Sequence, residues 1–568
     1  MIKSPFSDQL HAQKYRGLKE SFREAVSRVA NATKDSDDHF RDWRDILLDL
    51  RFMPAGRIQA AMGAPKAVTP YNCFVSGTIE DSFVDGEGCI MDRAKEAAAT
   101  MRMGGGIGYD FSPLRPRGAM IKKLNSRSSG PLSFMTIFDA VCKCVASSGH
   151  RRGAQMAILR VDHPDIVEFI HAKQNETELT GFNLSIGITD EFMTAVREGK
   201  EFSLRWGDIE HSTIDARNLW EKIMRSTWDW AEPGVIFIDR INKMNNLWYC
   251  EHIVATNPCA EQPLPPFGAC LLGSFNLVKY VKLYTGGVFP YWYFDYDQLR
   301  ADIPHVVRAM DNVIDRAIYP LPEQETEAKN KRRMGLGVTG VANAIERLGY
   351  AYGSPDFVST LGLILAAIRD ECYSESALLA KEKGAFPLYD EDAYLAGSFV
   401  QTLPSRIQDL IEQHGIRNSH LLSIAPAGTI SLCADNVSSG IEPVFAYEYD
   451  RTVQSPDGAR TVKVEDYGVA HLDVRGKIAA DVTADEHLAV LTTAQRYVDS
   501  AVSKTCNVDP KMDWEDFKSI YMQAWEGGAK GCTTFNVGGK RFGILATNED
   551  GAQSCKFDPV TGRRDCDS

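Results

Sequence analysis

No two of the thirteen cysteines are spaced Cys-x-x-Cys, and the closest pair, Cys142 and Cys144, is too tight for a zinc knuckle. Neither a metal site nor a disulfide scaffold is expected; thiols in such a chain point to redox chemistry. No hydrophobic run approaches the ~18 residues that read as a membrane span, and the first eleven residues, Met1 to His11, hold no apolar signal-peptide core. The expectation is a cytoplasmic protein with no membrane partner. An excess of positive charge is missing too: 63 Lys and Arg against 76 Asp and Glu leave a net charge of −13. That balance argues against nucleic acid as the main partner, although a free nucleotide needs only local positive charge. The common nucleotide fingerprints are absent as well, both Gly-x-x-x-x-Gly-Lys-Ser/Thr and the strand, Gly-x-Gly-x-x-Gly and acidic residue in Rossmann order. The cluster Gly104-Gly105-Gly106-Ile107-Gly108 is therefore a weak phosphate signal, because glycines serve turns and close packing equally well.

What is there suffices for a large core. Of 568 residues 44% are apolar, enough for two to four units or one large α/β barrel. Residues 1–50 are charged and helix-prone, with Phe22, Val26, Val29 and Ala30 at helical spacing, and read as a small helical cap. Arg51 to Val75 reads as loop, short helix and a strand carrying Cys73. Trp228 to Asp239 contains an apolar run expected to be a buried strand, and 290–420 is mostly amphipathic helix. Leu422 to Leu432 reads as a strand, a tight Pro-Ala-Gly turn and a helix start. The Thr429 and Ser431 hydroxyls, with backbone N–H groups at that start, make a phosphate cradle. Beyond about residue 541 the chain is rich in Gly, Asn and Asp and poor in apolar residues, as expected of a mobile tail, and carries Cys555 and Cys566.

One stretch is compositionally unlike the rest: Asn257-Pro-Cys-Ala-Glu-Gln-Pro-Leu-Pro-Pro-Phe-Gly-Ala-Cys-Leu-Leu-Gly-Ser-Phe-Asn276. Pro258, Pro263, Pro265 and Pro266 exclude a helix and push the residues before them toward extended backbone. Side chains in an extended segment alternate, so Asn257, Cys259 and Glu261 are expected on one side. An amide, a thiol and a carboxylate then converge on a small volume, a constellation for chemistry on a polar small molecule.

This run resembles the catalytic finger loop of ribonucleotide reductases, specifically the adenosylcobalamin-dependent class II enzymes. Arg332-Arg-Met-Gly-Leu-Gly-Val-Thr-Gly340, the Pro426 turn, Asn436-Val-Ser-Ser-Gly-Ile-Glu-Pro-Val-Phe445 and Lys530-Gly-Cys-Thr-Thr-Phe-Asn536 continue the likeness in the same order, over roughly 51–540. The resemblance implies an α/β fold, a ten-stranded barrel of two five-stranded halves with the finger loop inside. The cap at 1–50 is too short for the ATP-binding cone of many reductases. It also implies roles. Cys259 becomes a thiyl radical, Glu261 is general base to the 3′-hydroxyl, and Asn257 orients substrate and carboxylate. Cys73 and Cys270 supply two electrons and end as a disulfide, which Cys555 and Cys566 of the 541–568 tail reset by exchange with a thioredoxin or glutaredoxin-type reductant. Pro426, Ala427, Gly428, Thr429, Ile430 and Ser431 fall where the ribonucleotide substrate's phosphates bind, with Ala427 replacing the family's usual Thr. Asp81, Ser82, Arg127, Arg151 and Arg152 fall where a deoxynucleoside triphosphate effector is held, arginine's fork suiting phosphate. Ala260 stands where the family usually has Gly.

Class I reductases import their radical through a C-terminal Tyr-Tyr pair; here the region reads Thr533-Thr534-Phe535. Gly538-Gly-Lys-Arg-Phe542 does not supply the glycyl-radical element of class III. Homolysis of adenosylcobalamin remains as the radical source, and the lack of an Asp-x-His-x-x-Gly motif agrees with class II practice. The alternatives are the catalytic subunit of a two-protein reductase with another radical route, and a non-catalytic nucleotide-binding or thiol-redox barrel. The sequence leaves open a di- or triphosphate substrate, and a monomer or homodimer.

Overall fold

The computed structural model describes residues 1–536 apart from 123, 148–150, 153, 175–177 and 456–457, together with 545–547 and 553–555. The chain opens with three helices, Pro5–Tyr15 (α1), Phe22–Thr33 (α2) and Asp37–Leu48 (α3). Ser21 and Glu24 cap α2 reciprocally, each side chain accepting the other residue's backbone N–H. Val26, Val29 and Ala30 then face inward, as their spacing predicts. These helices are no separate layer. Val26, Trp43, Ile46 and Leu47 belong to the same apolar core as the strands that follow. The Asn312 amide donates to Thr33 O at 2.8 Å, across the boundary.

Ten strands make the main sheet: Phe52–Pro54 (β1), Cys73–Val75 (β2), Gly106–Asp110 (β3), Gln155–Arg160 (β4), Phe182–Ile188 (β5), Gly234–Phe237 (β6), Ala269–Asn276 (β7), Met334–Thr339 (β8), Thr505–Val508 (β9) and Gly531–Asn536 (β10). Strands β2 to β6 pair parallel in chain order. A second parallel group holds β7 with β8 and β9 with β10. Between β8 and β9 runs the segment 421–424, joined by the parallel bridges Leu336 to Leu422 and Ile424 to Val502. The two groups meet antiparallel where β2 pairs with β7 and where β6 pairs with β10. Strand β1 adds antiparallel to β7.

Parallel strands need crossover connections, and helices fill them. The longest, Tyr296–Arg316 (α4) and Pro355–Lys383 (α5), pack on one another and share one apolar core with β7 and β8. With both faces covered, β7 and β8 are buried along their whole length, which is why they read as continuous small and apolar runs. No helix among the described residues is long and apolar enough to cross a membrane. Within 541–568 the expected irregular tail contains one short hairpin, Leu545–Thr547 paired with Gln553–Cys555. Cys566 lies outside the described residues.

Candidate active site

The finger segment is not extended at its reactive residues. Ala255 and Thr256 pair antiparallel with Leu264 and Pro263, and the Asn257 N–H continues the ladder to Gln262 O at 3.1 Å. The Ala260 N–H closes a turn onto Asn257 O at 3.0 Å. Residues 258–261 are thus a hairpin tip. Asn followed by Pro supplies a turn's first two positions, and that local preference overrides the alternation expected from the prolines. Convergence follows by another route. Asn257 Nδ2 donates to Glu261 Oε1 at 2.8 Å and to Cys73 Sγ at 3.0 Å, while its Oδ1 accepts the Gln262 N–H at 3.0 Å. The Cys73 thiol lies 3.6 Å from Glu261 Oε1. Asn257, Glu261 and Cys73 are each about 98–99% buried, whereas Cys259 at the tip is half-buried.

Opposite them, β7 brings Cys270 into register with Cys73 on β2, and both are free thiols. Burial, then the negative charge of Glu261 and the neighbouring thiols, hold the Cys73 thiol well above its ordinary range. Burial does the same for Cys270, opposed by the Arg333 guanidinium. Both sulfurs therefore carry their protons at neutral pH.

Three supports hold the hairpin. A Cβ at Gly108 of β3 would stand 1.7 Å from Thr256 O, so only glycine admits the loop there. This closeness accounts for part of the glycine cluster without a phosphate. Asn183 Nδ2 on β5 donates to Pro258 O at 2.9 Å. Glu261 O accepts from Ser423 Oγ at 3.2 Å and from the Ala501 N–H at 3.0 Å. Ser423 was not singled out in the sequence; its contact spans 162 positions and only its nearness to Pro426 signals it.

From Ser423 the chain runs to Pro426 and Ala427 and into the short helix Gly428–Cys433 (α6). Pro426, Gly428, Thr429 and Ile430 are half-buried; Ala427 and Ser431 are buried. Ser431 Oγ donates to Gly428 O at 2.9 Å, and the Ala427 N–H to Ser439 Oγ at 3.1 Å. Beneath α6, the Asp435 carboxylate accepts the Lys3 and Ser4 N–H groups at 2.9 and 2.7 Å, and Leu10 of α1 packs on Leu432 and Cys433.

The residues compared with an effector site are partly gathered. Asp81 accepts from the Arg115 backbone at 3.1 Å and from Arg115 Nε at 2.6 Å. Arg115 also reaches Met120 O, and Met120 pairs with Arg127, which is exposed and donates to Gly118 O at 3.1 Å. Ser82 Oγ accepts the Asp85 N–H at 3.1 Å. Arg115 escaped the sequence reading. The Arg151–Arg152 strand pairs with Ala146–Ser147, and their side chains, like that of Cys555, lie outside what is described. Among the described residues no three His, Cys, Asp or Glu side chains gather as metal ligands. Where a Tyr pair would be needed for an imported radical, Thr534 Oγ1 is paired at 2.8 Å with the buried Tyr521 hydroxyl.

A paired parallel sheet with a thiol, amide and carboxylate on a central hairpin defines a class, and residues 71–535 match the family described as "Ribonucleotide reductase, barrel domain". The chain belongs to that family. It is 33% identical to the vitamin B12-dependent ribonucleoside-diphosphate reductase of Mycobacterium tuberculosis (strain CDC 1551 / Oshkosh), covering 93% of this chain and 78% of that protein. The protein of the same name from Thermoplasma acidophilum is 32% identical, over 92% of this chain and 68% of its own length. The ribonucleoside-diphosphate reductase large subunit of vaccinia virus (strain Copenhagen) is 28% identical, over 68% of this chain and 54% of its own.

Proposed function

We propose that the protein is an adenosylcobalamin-dependent class II ribonucleotide reductase acting on ribonucleoside diphosphates. The observation that carries this is the buried set Asn257, Glu261 and Cys73, with Cys270 in register and Cys259 at the hairpin tip. The names of the Mycobacterium and Thermoplasma relatives support both the cofactor and the diphosphate. Burial fits the cofactor too: Cys73 and Cys270 are enclosed, and Cys259 alone of the three is reachable from outside. Bound adenosylcobalamin supplies an organic radical by homolysis of its carbon–cobalt bond.

The protein's own groups then do the following. Cys259 gives up its thiol hydrogen and, as a thiyl radical, takes the substrate's 3′-hydrogen. Glu261 takes the 3′-hydroxyl proton, and Asn257 Nδ2 holds that carboxylate in place. Cys73 protonates the leaving 2′-hydroxyl, which departs as water. Cys73 and Cys270 release two electrons and join as a disulfide while C2′ gains the second thiol hydrogen, Glu261 returns its proton to the 3′-oxygen, and Cys259 returns the 3′-hydrogen. One ribonucleotide and two thiols thus become one deoxyribonucleotide, one disulfide and one water.

The rest of the reading follows from the family. The two parallel groups close into a ten-stranded barrel through 421–424, supported by antiparallel seams at both junctions. The cap spans 1–50, the barrel 51–540 and the cysteine-bearing tail 541–568. The 426–431 turn cradles the substrate's phosphates, the Asp81 region holds a deoxynucleoside triphosphate, and Cys555 with Cys566 resets the disulfide for a thioredoxin or glutaredoxin-type donor. On this reading the protein is cytoplasmic, as a monomer or a homodimer.

The test is anaerobic reduction of ribonucleotides by the purified chain with dithiothreitol, with and without adenosylcobalamin. Deoxynucleotide is expected only with the cofactor, and Cys259→Ser abolishes it. No product across di- and triphosphates and effectors would sink the class II reading and direct attention to a radical-supplying subunit.

A further inference from the structure

The finger hairpin and the phosphate turn are joined by one side chain. Ser423 is 99% buried, and its hydroxyl donates to the carbonyl oxygen of Glu261 at 3.2 Å. The second donor to that oxygen, the Ala501 N–H at 3.0 Å, comes from the segment bridged to Ile424. Three residues beyond Ser423 the same segment becomes Pro426 and then α6. It cannot shift freely, because the Ser423 N–H is bonded to Leu336 O at 3.1 Å. A Cβ at Gly337 would stand 2.3 Å from Ser423 O, so β8 presses directly on it. A rigid strand therefore carries the phosphate cradle at one end and grips the backbone of the general base a few residues earlier.

We propose that Ser423 is a positioning residue that couples phosphate binding at 426–431 to the placement of the Glu261 carboxylate. The inference rests on the assignment of Glu261 as base and of 426–431 as cradle. Binding energy from the remote phosphates is then expressed as orientation at the reacting centre, so that a truncated substrate loses kcat and not only KM.

The experiment compares wild type with Ser423→Ala on a nucleoside diphosphate and its monophosphate, and measures diphosphate dissociation by calorimetry without cofactor. The expected result is a ~10-fold fall in kcat for the diphosphate, or ~1.4 kcal/mol, the scale of one lost hydrogen bond. Its dissociation constant stays within about twofold. The diphosphate's advantage in kcat over the monophosphate shrinks, and Ser423→Cys, of similar shape and a weaker donor, falls between. Unchanged kcat overturns the proposal, as does an equal fall for both substrates or weaker binding that matches the fall in kcat. Should Ser423→Ala not fold, Ser423→Cys decides by the same two comparisons. Activity retained by Glu261→Gln would instead strike the assignment of the base, leaving these outcomes distinguishable.

Discussion

At Ala260 the backbone adopts φ +65°, in the left-handed region that a Cβ disfavours by about 1–2 kcal/mol. The methyl group sits at the turn that presents Cys259, next to the carboxylate, where strain is retained only because surrounding bonds over-determine the loop. Those bonds are the Asn257–Gln262 pair and the grips of Asn183 and Ser423. Ala260→Gly should relieve the strain, and hydrogen exchange at the Ala260-to-Gln262 amides should slow by roughly fivefold, or ~1 kcal/mol. Unchanged or faster exchange would mean that the loop carries no such strain. That Asn257, Glu261, Cys73 and Cys270 belong to one neighbourhood was legible because their residue types and motif point to a single site. Ser423, Arg115 and Arg333 were not, since a serine or arginine acquires its task only from a neighbour far along the chain.

Single elements were read well where apolar spacing dominates and less well where turn chemistry does. Helix α2 and β6 with its run Gly234 to Phe237 stand where apolar spacing put them, and the helix expected after the Pro426 turn begins at Gly428, while the strand expected before it is reduced to isolated bridges at Leu422 and Ile424. The finger segment folded into a hairpin tip because its Asn-Pro pair outweighs period-two alternation. Contacts between elements also set titration. Glu346, on the helix Val341–Arg347, accepts the Lys477 N–H at 2.8 Å and the Tyr352 N–H at 3.2 Å. Burial nonetheless pushes its carboxyl from 4.5 up to about 7. The folded state then holds a proton that the unfolded chain has released, so stability from this group is full below pH 4.5 and is lost as pH rises through about 7. Glu346→Gln should flatten that decline in denaturant titrations between these limits and stabilise the protein at pH 8 by ~3 kcal/mol at most. A variant that keeps the wild-type slope would place the proton elsewhere.

Across the whole molecule, the cap and the sheet share one core. Trp43 packs on Phe52 with ring centroids 5.8 Å apart, and Arg51 pairs with Asp302 of α4. A chain beginning at residue 51 would expose the apolar faces now covered by α2 and α3. It should lose the cooperative thermal transition of the full chain or aggregate on expression; a soluble truncation with an unchanged calorimetric transition would show the cap to be separable. Sequence alone determined the reacting residue types, their order and the element kinds, because composition, turn chemistry and apolar spacing act over a few residues. The tertiary structure decided which groups meet. Asn257 reaches Cys73 across 184 positions and Ser423 reaches Glu261 across 162. Such meetings depend on strand order, parallel or antiparallel pairing and the gaps left by glycines, which many distant segments settle together.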